Sequence, residues 1–253
     1  MKLNCNNFGN SSGRPIIFLH GLFGSSKDFF FVKEKLGQDR FCQFWDLPGH
    51  GKSDSFSFSN FREFCDFFFN QLGNYEQKPD LVGYSLGGRV ALDLITHYPD
   101  FFNQAVIISA NPGIISDPER ASRLKTDKIL LEKISSKELF FKEWYQQSLF
   151  GNLFKHPDFD KLLNERLNCN FDRIEKCLEF LSIGSQVPLW DKLAKTNKSI
   201  LYLCGELDNK YDDLGRLLSS NRSILSISVP KSGHNLIFEN PEIFLNNLIK
   251  FFR

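Results

Sequence analysis

The sequence has no long hydrophobic run. Nowhere does it approach the roughly 20 consecutive apolar residues that a membrane-spanning helix requires, so no membrane insertion is expected. It has no excess of either charge: 31 Lys and Arg face 30 Asp and Glu, a formal net charge of +1. A nucleic-acid-binding chain would carry a basic surplus. The opening stretch, 1–10, is polar and Asn-rich, without the basic start, apolar core or small-residue cleavage site of a secretory signal. The six cysteines are scattered, with no Cys-x-x-Cys pair, which excludes a zinc ribbon or a disulfide-stapled scaffold. Free thiols in a cytoplasmic protein are expected. No internal repeat or low-complexity tract is visible.

What is present is the composition of a globular enzyme. The 253 residues are 42% hydrophobic and 24% charged, enough for one α/β domain with a modest insertion. Phenylalanine is abundant at 28 residues, and runs such as Phe67-Phe68-Phe69 are expected to fill helix–sheet packing.

Short β-branched runs alternate with helical periodicity. Ile16 to Leu19, Phe41 to Trp45, Asp80 to Gly83, Ala105 to Ser109, Ile200 to Cys204 and Ile224 to Val229 read as buried strands. Helices are expected over Asn60 to Leu72, capped by Asn60 or Ser59, over Leu86 to His97, and from Pro241 to Phe251. This alternation predicts a mostly parallel sheet covered on both faces, an α/β fold. The stretch 113–187 breaks the pattern. It is rich in Arg, Lys, Glu, Leu and Phe, with helical spacing and no convincing strand, between the turn-like Asn111-Pro112-Gly113 and Val187-Pro188. It reads as a helical lid over the carboxyl edge of the sheet, inserted into a core of 1–112 and 188–253, where open α/β sheets carry their sites.

Gly83-Tyr84-Ser85-Leu86-Gly87 has the G-x-S-x-G pattern with a strand before it and a helix after it. That context makes it a nucleophile elbow: the tight turn exposes the serine hydroxyl and needs small neighbours, supplied by Gly83, Gly87 and Gly88. The Leu86 amide, at a helix N-terminus, can donate to an oxyanion. The serine needs a base and the base an orienting acid. Of five histidines, His234 lies in Lys231-Ser232-Gly233-His234-Asn235, after the last strand and before the final helix. His97 and His156 suit surface positions, while His20 and His50 lie in turns that could line the pocket. The acid should follow a strand between Ser85 and His234. Asp208, after Ile200 to Cys204, is the first choice, with Glu206, Asp212 and Asp213 as alternatives. The second oxyanion donor is expected in His20-Gly21-Leu22-Phe23, from the Phe23 amide.

These motifs are similar to those of α/β-hydrolase-fold proteins over essentially the whole chain. His20-Gly21, Asp46-Leu47-Pro48-Gly49-His50-Gly51 and the elbow carry the broad likeness. A narrower set resembles the menaquinone-pathway family of 2-succinyl-6-hydroxy-2,4-cyclohexadiene-1-carboxylate synthases. That set is Gly83 to Ala91 with Arg89 four residues after the serine, Glu119-Arg120-Ala121-Ser122-Arg123, Trp144-Tyr145-Gln146-Gln147, Tyr202-Leu203-Cys204-Gly205-Glu206 leading to Asp208, and Gly233-His234-Asn235. Ile237 departs from the pattern, since family members often carry a second histidine three residues after the first.

The resemblance implies a lyase that eliminates pyruvate from an enolpyruvyl- and succinyl-bearing cyclohexene, with Ser85, His234 and Asp208 as base. It implies no metal or organic cofactor. The substrate carries three carboxylates, so cations must gather locally. Arg89 lies one turn beyond Ser85, and Arg123, near Arg120, and Arg166 fall in the expected lid. An arginine's planar fork suits a carboxylate. The resemblance adds Tyr84, Trp144 and Tyr145 to the substrate pocket. A monomer or weak homo-oligomer is expected. A serine ester or thioester hydrolase with the same triad, and a non-catalytic binding protein, are the competing readings. The intact Ser85, Asp208 and His234 set speaks against the second.

Overall fold

The computed structural model describes residues 2–132, 134 and 136–253. Among the described residues seven strands form one sheet: β1 (Cys5–Gly9), β2 (Arg14–Leu19), β3 (Arg40–Trp45), β4 (Asp80–Tyr84), β5 (Ala105–Ile108), β6 (Ile200–Gly205) and β7 (Ile224–Val229). Their order is β1-β3-β2-β4-β5-β6-β7, with β1 antiparallel to β3 and every other pairing parallel.

The parallel strands are buried on both faces, so their side chains divide by alternation. In β2, Ile17 and Leu19 enter one core while Ile16 and Phe18 enter the other; in β5, Ala105 and Ile107 oppose Val106 and Ile108. The helices before the helical layer are α1 (Lys33–Leu36), α2 (Phe61–Gln71) and α3 (Leu86–His97). Asn60 caps α2 by accepting from the Glu63 amide at 2.9 Å. The buried stripe Phe61, Phe64, Cys65 and Phe68 has helical spacing and packs on the same face as Ile17 and Leu19. Phe67 and Phe69 are partly buried at its margin.

Between β5 and β6 the chain forms α4 (Asp117–Lys128), α5 (Lys137–Trp144), α6 (Phe159–Leu167), α7 (Phe171–Leu181) and α8 (Trp190–Lys195). Phe141, Tyr145, Phe150, Leu162 and Ile174 gather in a third core that Phe23 enters from below. The chain ends with α9 (Asn209–Leu218), α10 (Leu236–Glu239) and α11 (Pro241–Phe251).

Several elements lie outside the sequence expectation, among them the short helices α1, α8 and α10, and two matter for the fold and the site. Strand β1 belongs to a stretch read only as polar: it is an edge strand whose side chains are largely exposed, so it lacks an apolar signature. Helix α9 follows Asp208 directly, where only a loop carboxylate was anticipated.

The topology places the site. From β2 the chain moves outward to β3 and then returns to β4 on the other side of β2, so the loops after β2 and β4 diverge over a crevice at the strands' carboxyl ends.

Candidate active site

Ser85 stands between β4 and α3 with φ 50° and ψ −107°, a conformation that side chains rarely adopt. The close fit around it explains the glycines. A Cβ on Gly83 would run into the Gly87 carbonyl, and one on Gly87 into the Leu19 carbonyl. The turn after β2 passes alongside: a Cβ on Gly21 would meet the Tyr84 ring and stand 3.5 Å from Ser85 Cβ.

Ser85 Oγ lies 3.0 Å from His234 Nε2, and His234 Nδ1 lies 2.6 Å from Asp208 Oδ2. A carboxylate only accepts, so Nδ1 carries the proton toward Asp208 and Nε2 is left to accept from the serine. Asp208 and His234 are buried, while Ser85 is partly open to a cavity. The alternative acids are engaged elsewhere: Glu206 accepts from the Lys231 amide, and Asp212 pairs with Arg216. Asp213 is exposed.

A cavity of about 200 Å³ opens over Ser85 beneath the helical layer. Tyr84, Leu86, Arg89, Arg123, Trp144, Tyr145 and Arg166 all line it, and so do residues that sequence reasoning missed, among them Leu22, Asn111, Lys210 and Tyr211. Lys210 and Tyr211 ride on the first turn of α9. The signal was their nearness to Asp208, which becomes informative only once α9 is known.

The three arginines differ. Arg89 donates to Gln186 Oε1 at 3.1 Å and to the Leu181 carbonyl, and its guanidinium lies 4.8 Å from the Phe61 ring centre. No carboxylate pairs with it among the described residues, and burial pushes it down to about 10, still charged at neutral pH. Arg123 is half-exposed and paired with Asp127 at 2.7 Å. Arg166 is committed: its two terminal nitrogens reach Asp28 at 2.8 and 2.9 Å, and its Nε donates to Tyr145 Oη at 3.0 Å. Three of its five N–H donors are thus already taken, although the side chain lines the cavity. Arg120 pairs with Asp117 on the surface and does not line the cavity.

Phe23 is corrected. Its amide donates to His50 Nε2 at 3.1 Å, and its ring is buried in the third core. The neighbouring Leu22 lines the cavity instead, and neither the Leu22 nor the Leu86 amide has a protein acceptor among the described residues. His20 and His50 are buried and do not line this cavity, against the sequence reading. His97 accompanies Asp93 at the end of α3, and His156 sits beside the Phe238 ring. Ile237 turns into the lower core with Leu236 and Phe244, away from the cavity over Ser85. Among the described residues no group of three or more His, Cys, Asp or Glu could hold a metal, and no helix is long and apolar enough to cross a membrane.

The family model of the alpha/beta hydrolase family matches residues 16–246. The 2-succinyl-6-hydroxy-2,4-cyclohexadiene-1-carboxylate synthase of Citrobacter koseri is 32% identical over 249 residues, covering 97% of this chain and 96% of that protein. Among solved structures, MenH from S. aureus superposes with a TM-score of 0.88 at 24% identity, covering 98% of this chain and 97% of that one. An esterase from Exiguobacterium antarcticum reaches 0.78 at 18% identity, over 98% and 94% of the two chains. At those identities the structural likenesses speak for the fold alone.

Proposed function

The chain belongs to the alpha/beta hydrolase family and, within it, to the 2-succinyl-6-hydroxy-2,4-cyclohexadiene-1-carboxylate synthases, and we propose that it performs their reaction by elimination. Its substrate is 2-succinyl-5-enolpyruvyl-6-hydroxy-3-cyclohexene-1-carboxylate, and its products are the 2,4-cyclohexadiene and pyruvate. His234, held by Asp208, takes the Ser85 proton, and the resulting alkoxide removes the ring proton beside the succinyl ketone. The C–H electron pair moves into the ring, the ring double bond shifts, and the C–O bond to the enolpyruvyl group breaks. The proton passes through His234 to the departing enolate, which becomes pyruvate. Charge that develops on the succinyl ketone oxygen is met by the Leu22 and Leu86 amides, a pair of fixed donors worth several kcal/mol in sites of this kind.

The observation that carries this reading is Arg89. A guanidinium without a carboxylate partner, in the same cavity as Ser85, calls for an anionic ligand. A neutral ester needs no such group. Lys210, exposed at the cavity wall and outside every ion pair among the described residues, adds a second cation. Arg123 supplies a third at the cost of loosening its Asp127 pair. The helical layer 113–187 acts as the lid. The cavity beneath it is smaller than the roughly 300–1,000 Å³ of ordinary ligand sites, so the lid yields as substrate enters. Tyr84, Trp144 and Tyr145 then shape the pocket around the ring.

The test is incubation with the enolpyruvyl precursor while pyruvate is followed. Stoichiometric pyruvate with the cyclohexadiene is the expected result. Turnover of neutral esters with no pyruvate from the precursor would favour the hydrolase reading.

A further inference from the structure

The turn that carries Leu22 is bound to the loop after β3 by two histidines in a reciprocal arrangement. His20, in the turn, has Nδ1 2.7 Å from the Gly21 carbonyl, and its Nε2 accepts from the Leu47 amide at 2.9 Å. His50, in the opposite loop, has Nδ1 2.8 Å from the Pro48 carbonyl, and its Nε2 accepts from the Phe23 amide at 3.1 Å. Each ring therefore donates to a carbonyl of its own loop and accepts an amide from the other. The ring centres are 5.1 Å apart and both side chains are buried.

This arrangement requires neutral rings, since an imidazolium has no lone pair to accept with. Burial supplies that: it lowers His20 and pushes His50 down to about 3. The turn itself is strained at Phe23, with φ 62°. Such a backbone persists only where its surroundings hold it. The Asp46 carboxylate stiffens the loop further, accepting from the Ser26 and Lys52 amides at 2.6 and 3.0 Å.

We propose that His50, acting through the Phe23 amide and paired with His20, is a positioning residue that fixes the Leu22 amide beside Ser85 as an oxyanion donor. The chemistry it serves is any that builds negative charge on an oxygen above Ser85. The proposal rests on the oxyanion reading above but not on the identity of the substrate.

The experiment compares three variants of the full chain, His50→Phe, His50→Gln and His50→Asn, for kcat and KM with the precursor and for affinity toward phenylboronic acid. The boronate forms a tetrahedral adduct on Ser85 whose oxygen occupies the oxyanion position, whatever the natural reaction. Gln can present an acceptor near the place of Nε2; Phe and Asn cannot reach the Phe23 amide as acceptors. The expected result for His50→Phe is a tenfold or greater loss in kcat with KM nearly unchanged, and a similar loss in boronate affinity. His50→Gln should restore most of both. If His50→Phe does not fold, the same contrast is required between Gln and Asn. Equal impairment of Gln and Asn, or a folded His50→Phe with wild-type boronate affinity, would overturn the proposal. The boronate pattern appearing in a chain that releases no pyruvate would leave the positioning role standing and refute only the elimination.

Discussion

The rim of the sheet and the helices above it hold their functional side chains in different ways. At the rim, backbone geometry does the holding: Ser85 is fixed by a strained turn, Gly87 donates to the His20 carbonyl at 3.0 Å, and the two histidines tie one loop to the next. In the lid the holding is done by side chains. Helix α4 has no buried residue, and its arginines pair along its own surface with Asp117 and Asp127. The helices are tied to the core by the buried Arg166–Asp28 pair, by Arg89 donating to the Leu181 carbonyl and to Gln186, and by Phe180 and Leu181 of α7, which pack in the same core as Phe64.

The sharpest way to separate the two regions is to strike the rim. Ser85→Ala should remove up to about six orders of magnitude from turnover, the loss seen when a triad serine is removed from a serine protease. Asp208→Asn should remove about four, because the imidazole loses its orienting acceptor. Both variants should keep the wild-type melting temperature, measured by circular dichroism. An equal loss from Asp212→Asn would move the acid to the other carboxylate.

In the lid the corresponding damage should appear as stability. Asp28→Asn leaves the Arg166 charge buried without its partner, a change that costs about 3–5 kcal/mol in comparable pairs. A large fall in melting temperature, with KM raised more than kcat is lowered, is expected. A fall in kcat alone would place Asp28 with the rim.

The arginines facing the cavity should show smaller effects, graded by their present partners. Arg89→Ala should raise KM for the precursor by about 1.5–3 kcal/mol equivalent, the worth of a charged hydrogen bond. Arg123→Ala should raise it less, since that side chain is half-exposed and already paired. Cleavage of a small neutral ester should be indifferent to both. An equal effect on ester and precursor would make these arginines folding residues.

Acid provides the most graded contrast. His20 and His50 are held low by burial, with Asp28, Asp46 and Arg166 as their charged neighbours. Between the ordinary histidine value of about 6.5 and the value of about 3 for His50, the unfolded chain binds protons that the folded chain does not. Stability therefore rises with pH across that window and is lost as pH falls through it. Denaturant midpoints between pH 4 and 7 should show this slope, and His50→Gln should flatten part of it. An unchanged slope would mean that His50 takes up its proton without disturbing the fold.

How much could be read from the sequence follows the same division. The elbow, the strand alternation and the three residues that meet at Ser85 are written in short segments whose backbone needs are local: Gly83 to Gly88, Gly233-His234, and the residues after β6. Pairings across long separations were not legible. Nothing near Arg166 in the sequence announces Asp28, 138 positions away. The same holds for Phe23, whose amide belongs to His50 across 27 positions. Strand β1 was missed because an exposed edge strand has no apolar pattern to read.

Whether Ser85 lifts a proton or forms a bond to carbon separates elimination from covalent hydrolysis. Rapid quenching of the enzyme with the precursor, followed by intact-mass measurement, distinguishes the two. Elimination predicts pyruvate accumulating while the protein mass stays unchanged at every quench time. A substrate-derived adduct on Ser85, formed and lost at the rate of turnover, would contradict it.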